Sequence, residues 1–188
     1  MSRSILITGA TGHFGKATIE TLLKKGIAPA DITALMRDEA KAADLKAQGI
    51  QLKTGDYSNY DSLVAAFTGV EKLLLVSGTD IEHRQEQQAN AVNAAVAAGV
   101  KHIVYTSFVR KNETESSPIW AIGKSHIATD NLIKRSGIPY TLMLNSLYAD
   151  VLPMFLGEKV LETGLFYPAG DGKAAYTTRQ DMAEAAAS

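Results

Sequence analysis

The chain has 188 residues, 46% of them hydrophobic and 21% charged, with a formal net charge of −1. That length supplies one substantial core and falls short of two full domains. Basic and acidic residues are balanced and spread along the chain, so neither nucleic acid nor an anionic membrane is expected as a partner.

The absence of cysteine excludes disulfides, thiolate metal sites and Cys nucleophiles. His13, His83, His102 and His126 have no metal-ligand spacing, so no metal is expected. No apolar run reaches the ~18 residues of a membrane span. No signal-peptide pattern precedes the first apolar strand, and a cytoplasmic protein is expected.

In chain order, a short apolar β-rich run repeatedly precedes an amphipathic stretch that stops at a glycine. Ile5–Ile7 is the first strand, followed by a helix through Phe14, Ala17, Ile19, Leu22 and Leu23 that stops at Gly26. Ile32–Met36 is followed by a helix around Lys41–Gln48 and Gly49. Ile50–Lys53 is followed by Asp61–Phe67 and Gly69. Lys72–Val76 leads to a long helix through Ala89, Val92 and Val96 before Gly99. His102–Tyr105 leads to a helix from Lys124 to Gly137, and Tyr140–Leu144 is the sixth strand. Beyond it, a helix is expected over Val151–Glu162, a loop at Pro168–Gly172, and a last helix over Arg179–Ser188.

Continuous apolar strands suit a parallel sheet buried on both faces. Alternating strands and helices predict a doubly wound α/β fold with strand order 3-2-1-4-5-6, against a flavodoxin-like alternative. Residues 1–149 are expected to form an NAD(P)-binding Rossmann domain. Residues 150–188 are expected to start a C-terminal substrate-covering region that looks truncated.

Gly9, Gly12 and Gly15 fall between the first strand and the first helix. In that position the first glycine permits a tight turn, the second admits a pyrophosphate, and the third lets helix and strand pack closely. The loop Thr8-Gly9-Ala10-Thr11-Gly12-His13-Phe14-Gly15 is therefore a dinucleotide cradle. At the end of the second strand, where NAD-binding chains place an acid, stands Arg37. Its guanidinium suits a 2′-phosphate, an interaction of about 1.5–3 kcal/mol, so NADPH is expected over NADH. Asp38 next to it leaves the opposite reading open.

The segments Ile7–Gly12, Leu35–Arg37, Gly55–Tyr57, Val70–Gly78, Ala98–Ile103 and Ser136–Thr141 together resemble the NmrA-like atypical short-chain dehydrogenases. Within that family they resemble the branch of the bacterial NAD(P)H:quinone oxidoreductases and triphenylmethane reductase. The resemblance covers essentially the whole chain, and family members continue for roughly a further third of their length. By position it implies that Thr8 to His13 wrap the pyrophosphate and Arg37 meets the 2′-phosphate. Asp56 and Tyr57 would lie near the adenine, and Ser77, Gly78 and Thr79 near ribose and phosphates. Thr106, Ser107 and Phe108 would stand beside the nicotinamide, and Asn145, Ser146, Leu147 and Tyr148 at the nicotinamide and substrate.

Ordinary members of the wider superfamily carry Tyr-x-x-x-Lys, with the tyrosine as acid. Here the stretch reads Trp120-Ala121-Ile122-Gly123-Lys124, and an indole is no proton donor for catalysis. Leu144 is a second departure, standing where relatives often carry arginine. A quinone tolerates the loss of the tyrosine, since hydride addition yields an aromatic hydroquinone anion that water can protonate. The candidates for the chemistry are Lys124, as an oxyanion stabiliser, His126, Asn145 and Tyr148. At i and i+2, Lys124 and His126 do not share a helix face, so at most one is expected to act.

The expected activity is direct hydride transfer from NADPH to a quinone or similar conjugated electrophile, without flavin or metal. A non-catalytic NADP-binding redox sensor is the alternative, and a nucleotide-sugar dehydrogenase is disfavoured by the missing tyrosine. A homodimer is an open expectation.

Overall fold

A computed structural model describes residues 4–157, 159–164 and 170–188. Six strands form one sheet: β1 (Ile5–Ile7), β2 (Ile32–Met36), β3 (Gln51–Thr54), β4 (Lys72–Leu75), β5 (His102–Phe108) and β6 (Tyr140–Asn145). Their order is β3-β2-β1-β4-β5-β6 and every pairing is parallel. This is the doubly wound order expected from the sequence, and it excludes the flavodoxin-like one. The chain turns back between β1 and β4, and the crevice beyond their C-terminal ends is where such sheets bind ligands.

Helices cover both faces. On one lie α1 (His13–Lys24), the short α2 (Ala43–Ala47) and the last helix of the chain; on the other lie α3 (Tyr60–Phe67), α4 (Arg84–Ala97) and α5 (Trp120–Arg135). The first face packs Phe14, Ile19, Leu22 and Leu45 against Ile7, Ala34 and Met36. The second packs Leu63, Phe67, Val92, Ala95 and Ile133 against Leu6, Leu73 and Tyr105. All five residues of β2 are therefore buried, while β3 and β6, at the edges, are largely open. Lys53 of β3 uses its open position to donate to the Ala66 carbonyl (2.6 Å) and the Thr68 carbonyl (3.3 Å) at the end of α3. Carbonyls there lack helical donors and favour a cation.

Several boundaries differ from the sequence reading. The helix expected over Lys41–Gln48 begins earlier, as a 3-10 turn at Glu39–Ala42, because Asp38 caps it: its Oδ1 accepts from Ala40 N at 3.0 Å. β3 starts one residue late. β5 runs on to Phe108, and α5 starts four residues before Lys124, at Trp120, through a turn closed by Trp120 N to the Ser117 carbonyl at 3.0 Å. The single helix expected over Val151–Glu162 is two short ones, α6 (Leu152–Leu156) and α7 (Val160–Thr163). Gly157 between them has φ 75°, a conformation that ends a right-handed helix. Of the loop expected at Pro168–Gly172, Pro168 and Ala169 lie outside the described residues, as does Glu158.

After β6 the chain forms β7 (Leu147–Tyr148), which pairs in parallel with β8 (Tyr176–Thr177) just ahead of α8 (Arg179–Ala186). Asp150 Oδ2 accepts from Arg179 N at 2.8 Å, placing a carboxylate at the α8 N-terminus, and the Arg179 guanidinium lies 4.6 Å above the Tyr148 ring. Met182 and Ala183 of α8 enter the same core as Phe14, Ile19 and Leu22 of α1. No helix among the described residues is long and apolar enough to cross a membrane.

Met182→Ala leaves a cavity where α8 meets α1. It is expected to destabilise the fold by about 2 kcal/mol, the low end for core truncations. Urea unfolding with an unchanged midpoint would show that α8 adds nothing to this core.

Candidate functional site

At the C-terminal end of β1, the buried Thr8 hydroxyl donates to the Leu74 carbonyl (3.1 Å) and accepts from Val76 N (2.8 Å). It thereby ties β1 to the end of β4 at the point where the strand order reverses. The Tyr57 hydroxyl reaches both Thr8 Oγ1 and the Val76 carbonyl, the latter at 2.8 Å. Burial pushes the Tyr57 phenol up, so it stays protonated and serves as a strut. Asn90 of α4 steadies it by donating to the Tyr57 carbonyl at 3.0 Å.

The next turn depends on glycine twice. Gly9 has φ 59°, and Gly12 N donates to its carbonyl at 2.9 Å. A Cβ on Gly15 would stand 2.8 Å from Ala10 Cα and still closer to the Gly9 carbonyl oxygen. Helix α1 therefore abuts the loop backbone to backbone. Gly12 is its N-cap and supplies no side-chain acceptor, which leaves the first N–H groups of the helix available to an anion.

This loop opens on a cleft of about 540 Å³. Of the residues expected to touch a dinucleotide, Gly9, Thr11, Gly12, Arg37, Asp56, Tyr57, Ser77, Gly78 and Thr79 line it. Thr8, Ala10, Phe14 and Gly15 are buried behind it and set its shape, and His13 is exposed at the helix start. Thr106 accepts from Ser77 N at 2.8 Å, fixing the chain after β4. Ser107 and Phe108 end β5, and Asn145 and Ser146 follow from β6, beyond this lining.

Charges in the cleft are unequal in freedom. Asp56 Oδ1 accepts from Ser58 N (2.8 Å), and Asp80 is held by His83 Nδ1 (3.0 Å) and Gln87 Nε2 (3.2 Å). Asp38, next to Arg37 but outside the lining, is used as a helix cap. The exposed Arg37 side chain has no hydrogen bond or ion pair among the described residues. The groove thus offers open helix N–H groups and the Arg37 guanidinium, unpaired among the described residues, which together fit a phosphorylated dinucleotide.

The four chemical candidates differ in exposure and in partners. Lys124 is exposed in the second turn of α5, whereas His126 is buried, with Nδ1 2.9 Å from the Tyr105 hydroxyl and its ring stacked loosely beside Phe108. Burial, then the charges of Arg84 and Arg110, push His126 down to about 4, and burial pushes the Tyr105 phenol up. The pair is therefore neutral. Asn145 is buried with Nδ2 unpartnered among the described residues, and Tyr148 lies beneath Arg179.

Two clusters escaped the sequence reading. Arg110 Nη2 meets Asp130 Oδ2 at 2.7 Å in a buried ion pair, and Ser107 donates to the same oxygen at 3.0 Å. Between α4 and α5, Arg84 donates to Ser125 Oγ (2.9 Å) and Gln88 to Thr129 Oγ1 (2.7 Å). Arg84 and Gln88, like Ser125 and Thr129, are four residues apart. That spacing is a helix-face signal carried by polar residues, which a search for apolar periodicity passes over.

A family model, the NmrA-like family, matches residues 1–187, and the chain belongs to that family. It is 44% identical over 184 residues to quinone oxidoreductase 2 of Escherichia coli (strain K12), covering 97% of this chain and 62% of that one. Among solved structures, the NADPH-dependent quinone oxidoreductase of Escherichia coli complexed with NADPH superposes with TM-score 0.88 at 43% identity, covering 97% of this chain and 63% of that one. The Citrobacter sp. triphenylmethane reductase complexed with NADP(H) gives TM-score 0.85 at 39% identity, covering 98% and 64%. The chain spans about three fifths of the length of these relatives.

The buried neutral His126 has a consequence for stability. Its folded pKa of about 4 lies below the ordinary 6.5, so between these values the unfolded chain binds the proton that the folded chain refuses. Stability is therefore expected to fall as pH drops from 6.5 toward 4, by up to about 3 kcal/mol. His126→Gln, which retains a partner for Tyr105, should flatten that part of the profile in urea titrations. An identical slope in the variant would assign it to other groups.

Proposed function

We propose that the chain binds NADPH in this cleft and serves a reductase that passes hydride to a quinone or similar conjugated electrophile. Residues 1–149 would hold the cofactor, and residues 150–188 would begin a region over the substrate. The observation that carries the cofactor reading is the contrast at the end of β2. Arg37 is free and lines the cleft, while Asp38, the carboxylate that would favour NADH, is committed to capping the turn at Glu39–Ala42. The relatives solved with NADPH or NADP(H) support the same reading.

In this reading the α1 N-terminus and the Gly9–Gly15 backbone hold the pyrophosphate, and Arg37 holds the 2′-phosphate. Bound NADPH supplies the hydride. Lys124 faces the oxygen on which negative charge grows as the acceptor takes up the electron pair. Solvent water then delivers the proton that completes the hydroquinone. A quinone suits such a site because its reduced anion is aromatic. It makes a small demand on an acid, consistent with Trp120 in the place of a tyrosine. Asn145, with its buried unpartnered amide, is assigned to the nicotinamide end. Tyr148 and His126 are assigned a place around the acceptor, His126 from behind Phe108.

Titration of the unmodified chain should give tighter binding of NADPH than of NADH, and Arg37→Asp should narrow the gap by roughly tenfold to a hundredfold. Equal affinity of the unmodified chain for both would end the NADPH assignment. With a panel of small quinones, NADPH oxidation is expected, and Lys124→Met should lower kcat on the order of tenfold with cofactor affinity kept. The effect is smaller than for an enclosed oxyanion donor because Lys124 is exposed. Tight cofactor binding without turnover on any quinone or dye would favour the sensor instead.

A further inference from the structure

Arg84 is the first residue of α4, only 6% exposed, and it has no carboxylate partner among the described residues. A buried guanidinium without a counter-ion is costly, so its three acceptors deserve comparison. Nη1 donates to the Gly78 carbonyl at 3.4 Å, Nη2 to the Ile122 carbonyl at 3.2 Å, and Nε to Ser125 Oγ at 2.9 Å. Gly78 lines the cleft, while Ile122 and Ser125 flank Gly123-Lys124 on α5.

We propose that Arg84 is a positioning residue that ties the cofactor wall at Gly78 to the first turns of α5, so that filling the cleft sets the placement of Lys124 and its neighbours. The inference rests on the cofactor reading above. The planar fork suits this task because its donors point in fixed, divergent directions: one arm goes to the loop after β4 and two go to consecutive turns of one helix. Ser125 extends the tie, because Thr129 Oγ1 donates to the Ser125 carbonyl at 2.8 Å and receives Gln88 Nε2. Displacement of Gly78 is thus transmitted through a chain of hydrogen bonds whose links at Ser125 and Thr129 are buried. The exposed Lys124 ammonium has no such anchor among the described residues, so its position follows that of the helix backbone.

The single tryptophan supplies the readout, since Trp120 opens α5 two residues before the Ile122 carbonyl that Arg84 holds. The ligand used is NADP+, which does not absorb tryptophan emission, and its binding is measured separately by calorimetry. In the unmodified chain NADP+ is expected to change Trp120 emission. Arg84→Met should bind NADP+ within about threefold of the unmodified chain yet lose most of that change, and Arg84→Lys should recover part of it. If Arg84→Met does not fold, Ser125→Ala removes one acceptor on α5 and should reduce the change. Binding with no emission change in the unmodified chain, or with an undiminished change in Arg84→Met or Ser125→Ala, overturns the coupling and leaves the cofactor reading intact. No NADP+ binding by the unmodified chain overturns the cofactor reading itself, and the coupling with it.

Discussion

Where α1 meets the loop after β1, Gly15 faces the Gly9 carbonyl and Ala10 Cα at distances that leave no room for a side-chain atom. Much of the cleft depends on that contact. Because the helix starts against bare backbone, its first N–H groups end at the cleft instead of on a capping side chain. The left-handed Gly9 and the Gly12 N–H close the turn that makes the approach possible. Thr8, immediately before it, fixes the loop by bonding to β4 on both sides of the strand's end. The binding groups here belong to the main chain, so the side chains at Thr11 and His13 carry little of the geometry.

Around this cradle the polar groups divide into those already engaged and those left over. Asp56 and Asp80 are each engaged by neighbouring donors, Asp56 by the Ser58 N–H and Asp80 by His83. The charge of His83 is itself favoured by the Asp80 carboxylate beside it. Arg37 is left over on the cleft wall. Among the described residues the acids of the cleft already have donors, while the first N–H groups of α1 and the Arg37 guanidinium do not, an arrangement suited to an anion. The same logic explains why a net charge of −1 for the whole chain does not predict the sign of this groove.

The inner strands β1, β2 and β4 were legible in the sequence because they are largely apolar, and burial on both faces gives that pattern its cause, whereas the open edge strand β3 mixes polar and apolar residues. The glycine loop was legible through its place between strand and helix. Less was visible where polar residues do the packing. The buried edge of α4 is Arg84 and Gln88, so apolar periodicity located the helix from Ala89 onward and missed its start. The first turn of α5 was missed for a different reason: Ala121 and Ile122 are exposed there, so its apolar residues mark no buried face. Asp38 was ambiguous beside Arg37 as a bare pair of charges. Its role was written in the following residues, since Asp38 before Glu39-Ala40-Lys41 is an N-cap preceding a helical turn. Gly157 also announced its break, and the expected helix across it gave too much weight to the apolar residues on either side.

The neutral pair of Tyr105 and His126 bears on the chemistry that this scaffold can support. A phenol pushed up by burial and an imidazole pushed down to about 4 are both poor partners for proton exchange near neutral pH. Their bond, together with Gln88 and Thr129, fastens β5 to two helices. In place of the usual tyrosine stands an indole that holds its proton. In the reading proposed above, the groups that meet a developing anion near the start of α5 are then exposed ones, Lys124 and water. An acceptor whose reduced form is a stable anion needs no more than that, whereas a simple ketone would need an acid already in place. The departure from the superfamily pattern at Trp120 thus sits on a helix held by buried polar bonds, beside a neutral Tyr105–His126 pair that is poorly suited to proton exchange near neutral pH.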